Sequence, residues 1–315
     1  MTSQPFAHDC WFLAGATAVG KTEVALLLAE RLGAEIVSLD SMAVYRGMDI
    51  GTAKPGPDER SRVAHHLVDV VDPDEEFSVA RYLQEAEAVV ESIRGRGREV
   101  LFVGGTPLYL KALLRGMESG PAADWGLREQ LEREVAEVGS AALHERLEHL
   151  DPIAASQIHA NDTRRLIRAL EVYRTTGQPI SHAQLQFEDG RPAEECRVFV
   201  LRRERAHQHD RIEQRVDSMI ERGLVEEVRG LAGPPSKLGR TASQAVGYKD
   251  VLEHFRGETG FDEMVEKIKA RSRRFAKRQG TWFRSLSECR FVDLANDSDL
   301  ADTAAEIAAA GASVG

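Results

Sequence analysis

Residues 15–22 read GATAVGKT, a loop framed by two glycines and ended by lysine and threonine that fits the G-x-x-x-x-G-K-[ST] pattern. Gly15 and Gly20 permit the positive φ values a wrapped loop needs. The backbone N–H groups of Ala16, Thr17, Ala18 and Val19 can then face phosphate oxygens at the positive end of a helix. Lys21 adds a point charge, and the Thr22 hydroxyl is of the type that ligates Mg²⁺. The chemistry implied is the binding of a diphosphate or triphosphate.

Two further residues could act on what the loop holds. Asp40 ends the run EIVSLD, and Thr106 follows the glycines of VLFVGGT. On residue type alone, Asp40 fits a general base, a magnesium ligand or a helix N-cap, and Thr106 fits a hydroxyl donor or a turn residue before Pro107. The strand VLFVG lacks the terminal acid that usually organises Mg²⁺ in P-loop enzymes, and the N-K-x-D base signature of GTPases is absent. A small-molecule kinase is one reading of this set. A non-catalytic RNA-binding protein with a vestigial loop is another.

The elements that would position these residues can be read from periodicity. WFLAG (11–15), EIVSL (35–39), LVDVV (67–71), VLFVG (100–104) and VFVLR (198–202) have the short apolar form of buried parallel strands. Helical patterns lie between them, at 21–32 and at 78–95 with Ser78 as N-cap. The succession predicts an α/β, P-loop NTPase-like parallel-sheet core. The open ends of its strands would bring residues 15–22, Asp40 and Thr106 to one crevice. Between 116 and 195 the spacing is helical with almost no strand signal, which predicts an all-helical insertion. The core is then 1–115 with 196–290, including helices near 207–222, 244–256 and 262–285. The Ala-rich 291–315 reads as a flexible tail.

The chain of 315 residues carries 41 Lys+Arg against 51 Asp+Glu, a formal net charge of −10. That balance argues against a surface that clings everywhere to nucleic acid or anionic membrane. Its distribution is uneven: Lys267, Lys269, Arg271, Arg273, Arg274, Lys277, Arg278 and Arg284 follow one another without an intervening acid. Such a stripe is either a solvated helix face, with Phe275 and Trp282 in the core, or a track for a phosphate backbone. Cys10, Cys196 and Cys289 are too dispersed for a disulfide framework or a zinc site. No basic-then-apolar leader opens the chain and no apolar run approaches a membrane span, so a cytoplasmic location is expected.

Several segments together resemble the tRNA dimethylallyltransferases (tRNA isopentenyltransferases) of the bacterial type. They are GATAVGKT, LDSMAVYRGMDIGTAKP (39–55), HHLVDVVDP (65–73), VGGTPLYLKALL (103–114), NDTRRLIRALEVY (161–173), RIEQRVDSMIERGLVEEV (211–228), QAVGYKD (244–250) and RRFAKRQGTWFR (273–284). The similarity runs in order over about 15–285. It implies transfer of a dimethylallyl group from dimethylallyl diphosphate to N6 of the adenosine 3′-adjacent to the anticodon, position 37, in tRNAs reading codons that begin with U. The P-loop would hold that diphosphate rather than ATP, with Mg²⁺ on Thr22 and Arg215 as a further contact.

The resemblance makes Asp40 the general base and places Thr106 near the bridging oxygen and the tRNA. It implies tRNA contacts at Asp40, Ser41, Met42 and Ala43, at Arg128, at Arg164, Arg165, Leu166, Ile167 and Arg168, and at Gln244, Ala245, Val246, Gly247, Tyr248 and Lys249. The adenine would leave the anticodon-loop stack to reach Asp40. No membrane or protein partner is implied, and a monomer is expected. Prenyl transfer to free adenine nucleotides is a rival within the same chemistry; the basic stripe and the insertion favour a large RNA. Pro107 stands where glycine is common in the family, and the C-terminal zinc finger of eukaryotic relatives is missing.

Overall fold

Six parallel strands form one sheet in the order β3-β2-β4-β1-β5-β6. The strands are β1 (Trp11–Gly15), β2 (Ala34–Leu39), β3 (His65–His66), β4 (Glu99–Gly104), β5 (Val198–Arg203) and β6 (Arg290–Leu294). The computed structural model describes residues 6–116, 120–184, 190–233 and 238–314. Alternate residues of each strand serve opposite faces, as the pleat requires. Phe12, Val37, Phe102 and Val200 enter one apolar cluster, while Leu13, Ile36, Leu101 and Phe199 enter the other. Being covered on both faces, these strands read as continuous apolar runs.

The second cluster is covered by α1 (Lys21–Leu32) and by α14 (Leu300–Ala312). The first is covered by α3 (Val79–Gly95), α4 (Pro107–Arg115), α10 (Arg205–Glu221), α11 (Leu224–Ala232), α12 (Tyr248–Phe255) and α13 (Phe261–Arg284). A short helix, α2 (Pro57–Arg62), precedes β3. Helix α1 begins at Gly20, φ 108°, and stops at Gly33, φ 63°, whose N–H bonds the carbonyls of Ala29 and Glu30. Ser78 caps α3 through the Arg81 N–H.

Residues Arg115–Asp189 form a separate compact unit, the remainder of the chain forming the other. This second unit is helical: α5 (Trp125–Val138), α6 (Ser140–Leu150), α7 (Pro152–Gln157), α8 (Thr163–Thr176) and α9 (Ile180–Gln184). Its core is Leu131, Leu143, Leu147, Leu166 and Leu170. The Glu171 carboxylate is sealed inside it, accepting both Nε (2.9 Å) and Nη2 (2.9 Å) of Arg128, Nη1 of Arg168 (2.6 Å) and the Asp124 N–H (2.8 Å).

Two expectations are corrected. LVDVV (67–71) is not a strand: Leu67 and Asp69 take φ of 57° and 58°, which no extended run allows. Pairing there shrinks to β3 and one bridge from Tyr45 to Val71. Of the expected flexible tail, residues 291–314 are instead built into the core unit, chiefly as β6 and α14. Helix α14 lies so close to β1 that a Cβ on Gly311 would fall 2.0 Å from the Trp11 ring. Arg197 and Arg290 donate to the Gly311 and Ala310 carbonyls in the last turn of α14, and Arg197 also to Val314 O just beyond it.

Candidate active site

The loops after β1, β2 and β4 lie side by side because β2, β4 and β1 are neighbours in the sheet. They open onto a cleft of about 930 Å³ lined by Lys21, Thr22, Asp40, Thr106 and Arg215 among others. Lys21, Thr22, Asp40, Thr106 and Arg215 are therefore in one place, whereas Ala16 and Val19 line a separate groove behind the loop.

The P-loop is held by its carbonyls. Lys21 Nζ donates to the Gly15 and Ala16 oxygens, both at 2.9 Å. Gln208 Nε2 reaches Thr17 O (2.9 Å), Arg211 Nε reaches Ala18 O (2.9 Å) and Arg203 Nε reaches Val19 O (3.4 Å). A trans peptide points its C=O and the following N–H in opposite directions. Tying the Thr17, Ala18 and Val19 carbonyls therefore turns the N–H groups of Ala18, Val19 and Gly20 away from those ties, while the Thr17 N–H is taken by Gln279. That row of amides at the head of α1 is an anion nest. The strained values, φ 154° at Gly15, 60° at Ala18 and 108° at Gly20, are those of such a wrap. At Gly15 a side chain would also strike Leu201 O at 2.7 Å.

Lys21 has lost solvation in the loop and faces the like charge of Arg215, which together lower its pKa to about 8 against the pull of Asp40. Arg215 is lowered by desolvation too, with Asp40 opposing the shift. Asp40 is thus electrostatically in reach of both cations. Its Oδ1 accepts the Met42 N–H at 2.8 Å. Thr106 Oγ1 accepts the Ser41 N–H at 3.0 Å. Both Gly105 and Thr106 donate their N–H to Leu39 O at 3.1 Å, an approach that requires Gly104, where a Cβ would meet that oxygen at 2.1 Å. Pro107 stands at the first turn of α4, where its missing N–H costs nothing.

The remaining expected contacts divide. Asp40, Ser41, Met42, Ala43, Thr106, Gln244, Ala245 and Val246 all line the cleft. Gly247 starts α12 at φ 91°, and the buried Tyr248 donates its hydroxyl to Glu227 at 2.5 Å. Lys249 is half-buried and does not line the cleft. In the helical unit, Arg164 and Arg165 are exposed, whereas Leu166 and Ile167 are core. Arg128 and Arg168 are committed to Glu171.

In the basic stripe, Lys267, Lys269, Arg271 and Arg273 pair with Glu263, Asp217, Asp250 and Glu213. Among the described residues, Arg274, Lys277, Arg278 and Arg284 have no such acid. Phe275, one alternative for which was a core position, is 37% exposed at the cleft and has Arg278 over its ring at 6.0 Å.

Sequence reasoning missed three supports. Gln279, nearly fully buried, accepts the Thr17 N–H on Oε1 (2.9 Å) and donates Nε2 to Gly105 O (2.6 Å), joining the P-loop to the β4 turn. Its signal was a glutamine in the same helical row as Ile268, Ala276 and Phe283. Glu227 accepts the N–H groups of Asp49, Ile50 and Gly51 at 3.0, 2.7 and 3.2 Å. Lys54, its side chain 2% exposed, bonds Tyr45 O, Asp49 and Asp69. Together these two lock the loop that carries Thr52, whose carbonyl meets Arg215 at 3.5 Å.

A divalent metal fits this donor set. Thr22 and Asp40 offer hard oxygens in one cleft, while among the described residues no three His, Cys, Asp or Glu side chains gather to hold a metal by themselves. Mg²⁺ is commonly bound in that way, through one or two protein oxygens plus substrate phosphate and water.

Comparison with known proteins supplies the context. A family model described as IPP transferase matches residues 43–286. A tRNA dimethylallyltransferase of Rhodopirellula baltica is 49% identical, over 91% of this chain and 90% of its own. One from Pelotomaculum thermopropionicum is 44% identical over 98% of each. The crystal structure of a tRNA isopentenylpyrophosphate transferase from Bacillus halodurans superimposes with a TM-score of 0.69 at 39% identity, covering 96% of both chains. That of a eukaryotic dimethylallyltransferase acting on tRNA gives 0.77 at 27% identity, covering 95% of this chain and 77% of the other.

Proposed function

Because the chain belongs to the IPP transferase family, we propose that it transfers the dimethylallyl group of dimethylallyl diphosphate to N6 of adenosine 37 in tRNAs reading codons that begin with U. The products are N6-dimethylallyladenosine and diphosphate. The observation that carries the reading is the convergence of an anion nest, a carboxylate and a hydroxyl on one cleft.

The exocyclic amine is a poor nucleophile because its lone pair is shared with the ring. As N6 forms its bond to the allylic carbon, Asp40 takes the N6 proton, so that no full positive charge builds on nitrogen. The bond from that carbon to the bridging oxygen breaks, and both electrons leave with the diphosphate. Lys21, Arg215 and the P-loop amides stabilise the charge that develops there. Thr106, fixed by the Ser41 N–H, directs its hydroxyl to the bridging oxygen. Thr22 would hold Mg²⁺ beside the diphosphate oxygens, which would supply further charge neutralisation on the diphosphate. The rim residues Ser41, Met42, Ala43, Gln244, Ala245 and Val246 would receive the tRNA, with Arg164 and Arg165 of the helical unit and Arg274, Lys277 and Arg278 of α13 supplying phosphate contacts.

The test is incubation with unmodified tRNA, Mg²⁺ and labelled dimethylallyl diphosphate. Label is expected in the adenine beside the anticodon. Asp40→Asn is expected to lose about 10²-fold or more in kcat, the usual scale for a general base, with tRNA affinity retained. ATP turnover without prenyl transfer would instead favour a kinase.

A further inference from the structure

The loop after β6 and the first residue of α14, 295–300, lie outside the span matched by the family model, 43–286. Even so, Ala295, Asn296, Ser298 and Leu300 stand in the wall of the cleft. They arrive there because β5 and β6 continue the parallel sheet beyond β1, so their carboxyl ends open on the same side. The loop is braced from within: the Ala295 N–H bonds Ser298 Oγ at 2.8 Å, and Asp299 caps α14.

Arg203, at the end of β5, joins this loop to the P-loop. Its Nη1 donates to Ala295 O and to Asn296 Oδ1, both at 3.0 Å, and its Nε donates to Val19 O at 3.4 Å. The peptide it grips is the one before Gly20, whose φ of 108° makes it a soft point of the loop. Val19 lines the outer groove behind the loop, Gly20 lines the cleft, and Arg203 stands between them, lining both.

We propose that Arg203, braced by Asn296, is a positioning residue for the diphosphate: it holds the Val19 carbonyl outward and so aims the Gly20 N–H at the bound anion. The planar trans peptide couples the two directions. Gln208 and Arg211 tie the two preceding carbonyls, Thr17 O and Ala18 O. Arg203 completes that row from the end of β5. Its guanidinium carries a depressed pKa, first from burial and then from the like charge of Arg211, a repulsion that an anion in the nest relieves.

The inference rests on the reading that the cleft takes a diphosphate, and calorimetric titration of inorganic diphosphate with Mg²⁺ into the full chain separates the two. No binding by the wild type would overturn that reading, and this inference with it. Given binding, Arg203→Ala is expected to weaken it about tenfold and Asn296→Ala about threefold, the scale of one charge-assisted hydrogen bond and of its partial loss. Arg203→Lys keeps the charge without the fork and is expected to bind as weakly as Arg203→Ala. In turnover, KM for dimethylallyl diphosphate rises while the dissociation constant for tRNA is unchanged. Binding within twofold of wild type by either alanine variant, full recovery in Arg203→Lys, or an equal loss of tRNA affinity would overturn the proposal.

Discussion

Lys21 is charged at neutral pH, but only just. With its folded pKa near 8 against an ordinary 10.5, the unfolded chain holds a proton between those values that the folded protein has released. Stability therefore rises with pH across that window. Diphosphate binding goes the other way, because the same deprotonation removes a charge from the nest. The expected result is a KM for dimethylallyl diphosphate that climbs above pH 8, approaching about tenfold per pH unit if only the charged lysine binds. Over the same range the ligand-free protein gains stability relative to Lys21→Met. Lys21→Arg should flatten the KM profile, and a pH-independent KM in the wild type would contradict the assignment. At this scale the sequence was most informative where chemistry is local. The P-loop, Asp40 and Thr106 stood out because each follows its own strand directly. Gln279 did not, since its partners lie 262 and 174 residues away and no local pattern encodes them.

Among the elements, the strands with continuous apolar runs were legible to within a residue or two, because burial on both faces writes itself into composition. LVDVV misled because the same apolar residues also suit a turn packed on the core, and only the positive φ of Leu67 and Asp69 distinguishes the two. The edge strand β6 and α14 were missed because their apolar residues acquire meaning only against β5 and Trp11. The helical unit shows the reverse case, in which a polar residue organises the core. Burial would raise the pKa of Glu171, but the bonds from Arg128, Arg168 and the Asp124 N–H bring it below the usual value. Its contribution is then present above the unfolded pKa and lost as pH falls. Glu171→Gln leaves two guanidinium groups without a counter-charge and is expected to destabilise this unit by about 3–5 kcal/mol. Faster hydrogen exchange of the amides of α5 and α8 at pH 7 checks it, with the cost shrinking towards pH 4. An unchanged exchange rate would show the pair to be dispensable.

At the scale of the whole molecule, a net charge of −10 conceals where cations are available. The stripe on α13 is half neutralised by acids of α10, α12 and α13 itself. Only its later part remains to meet a phosphate backbone. Lys277→Ala is therefore expected to lower the slope of log Kd for tRNA against log salt by about 0.7–0.9. Lys269→Ala, whose charge already answers Asp217, should leave the slope unchanged; equal effects would mean that the ion pairs open on binding. Among the described residues, no helix is long and apolar enough to cross a membrane. The clamp between Gln279, Thr17 and Gly105 also has a consequence in time. A ribosome makes a chain from its N-terminal side, so the P-loop emerges before α13, whose Gln279 lies 262 residues on from Thr17. Throughout that interval the loop lacks the side chain that joins it to the β4 turn. Closing a contact across most of the chain is slow and comes late. A nascent chain thus lacks the clamp between the P-loop and the β4 turn until α13 has been made.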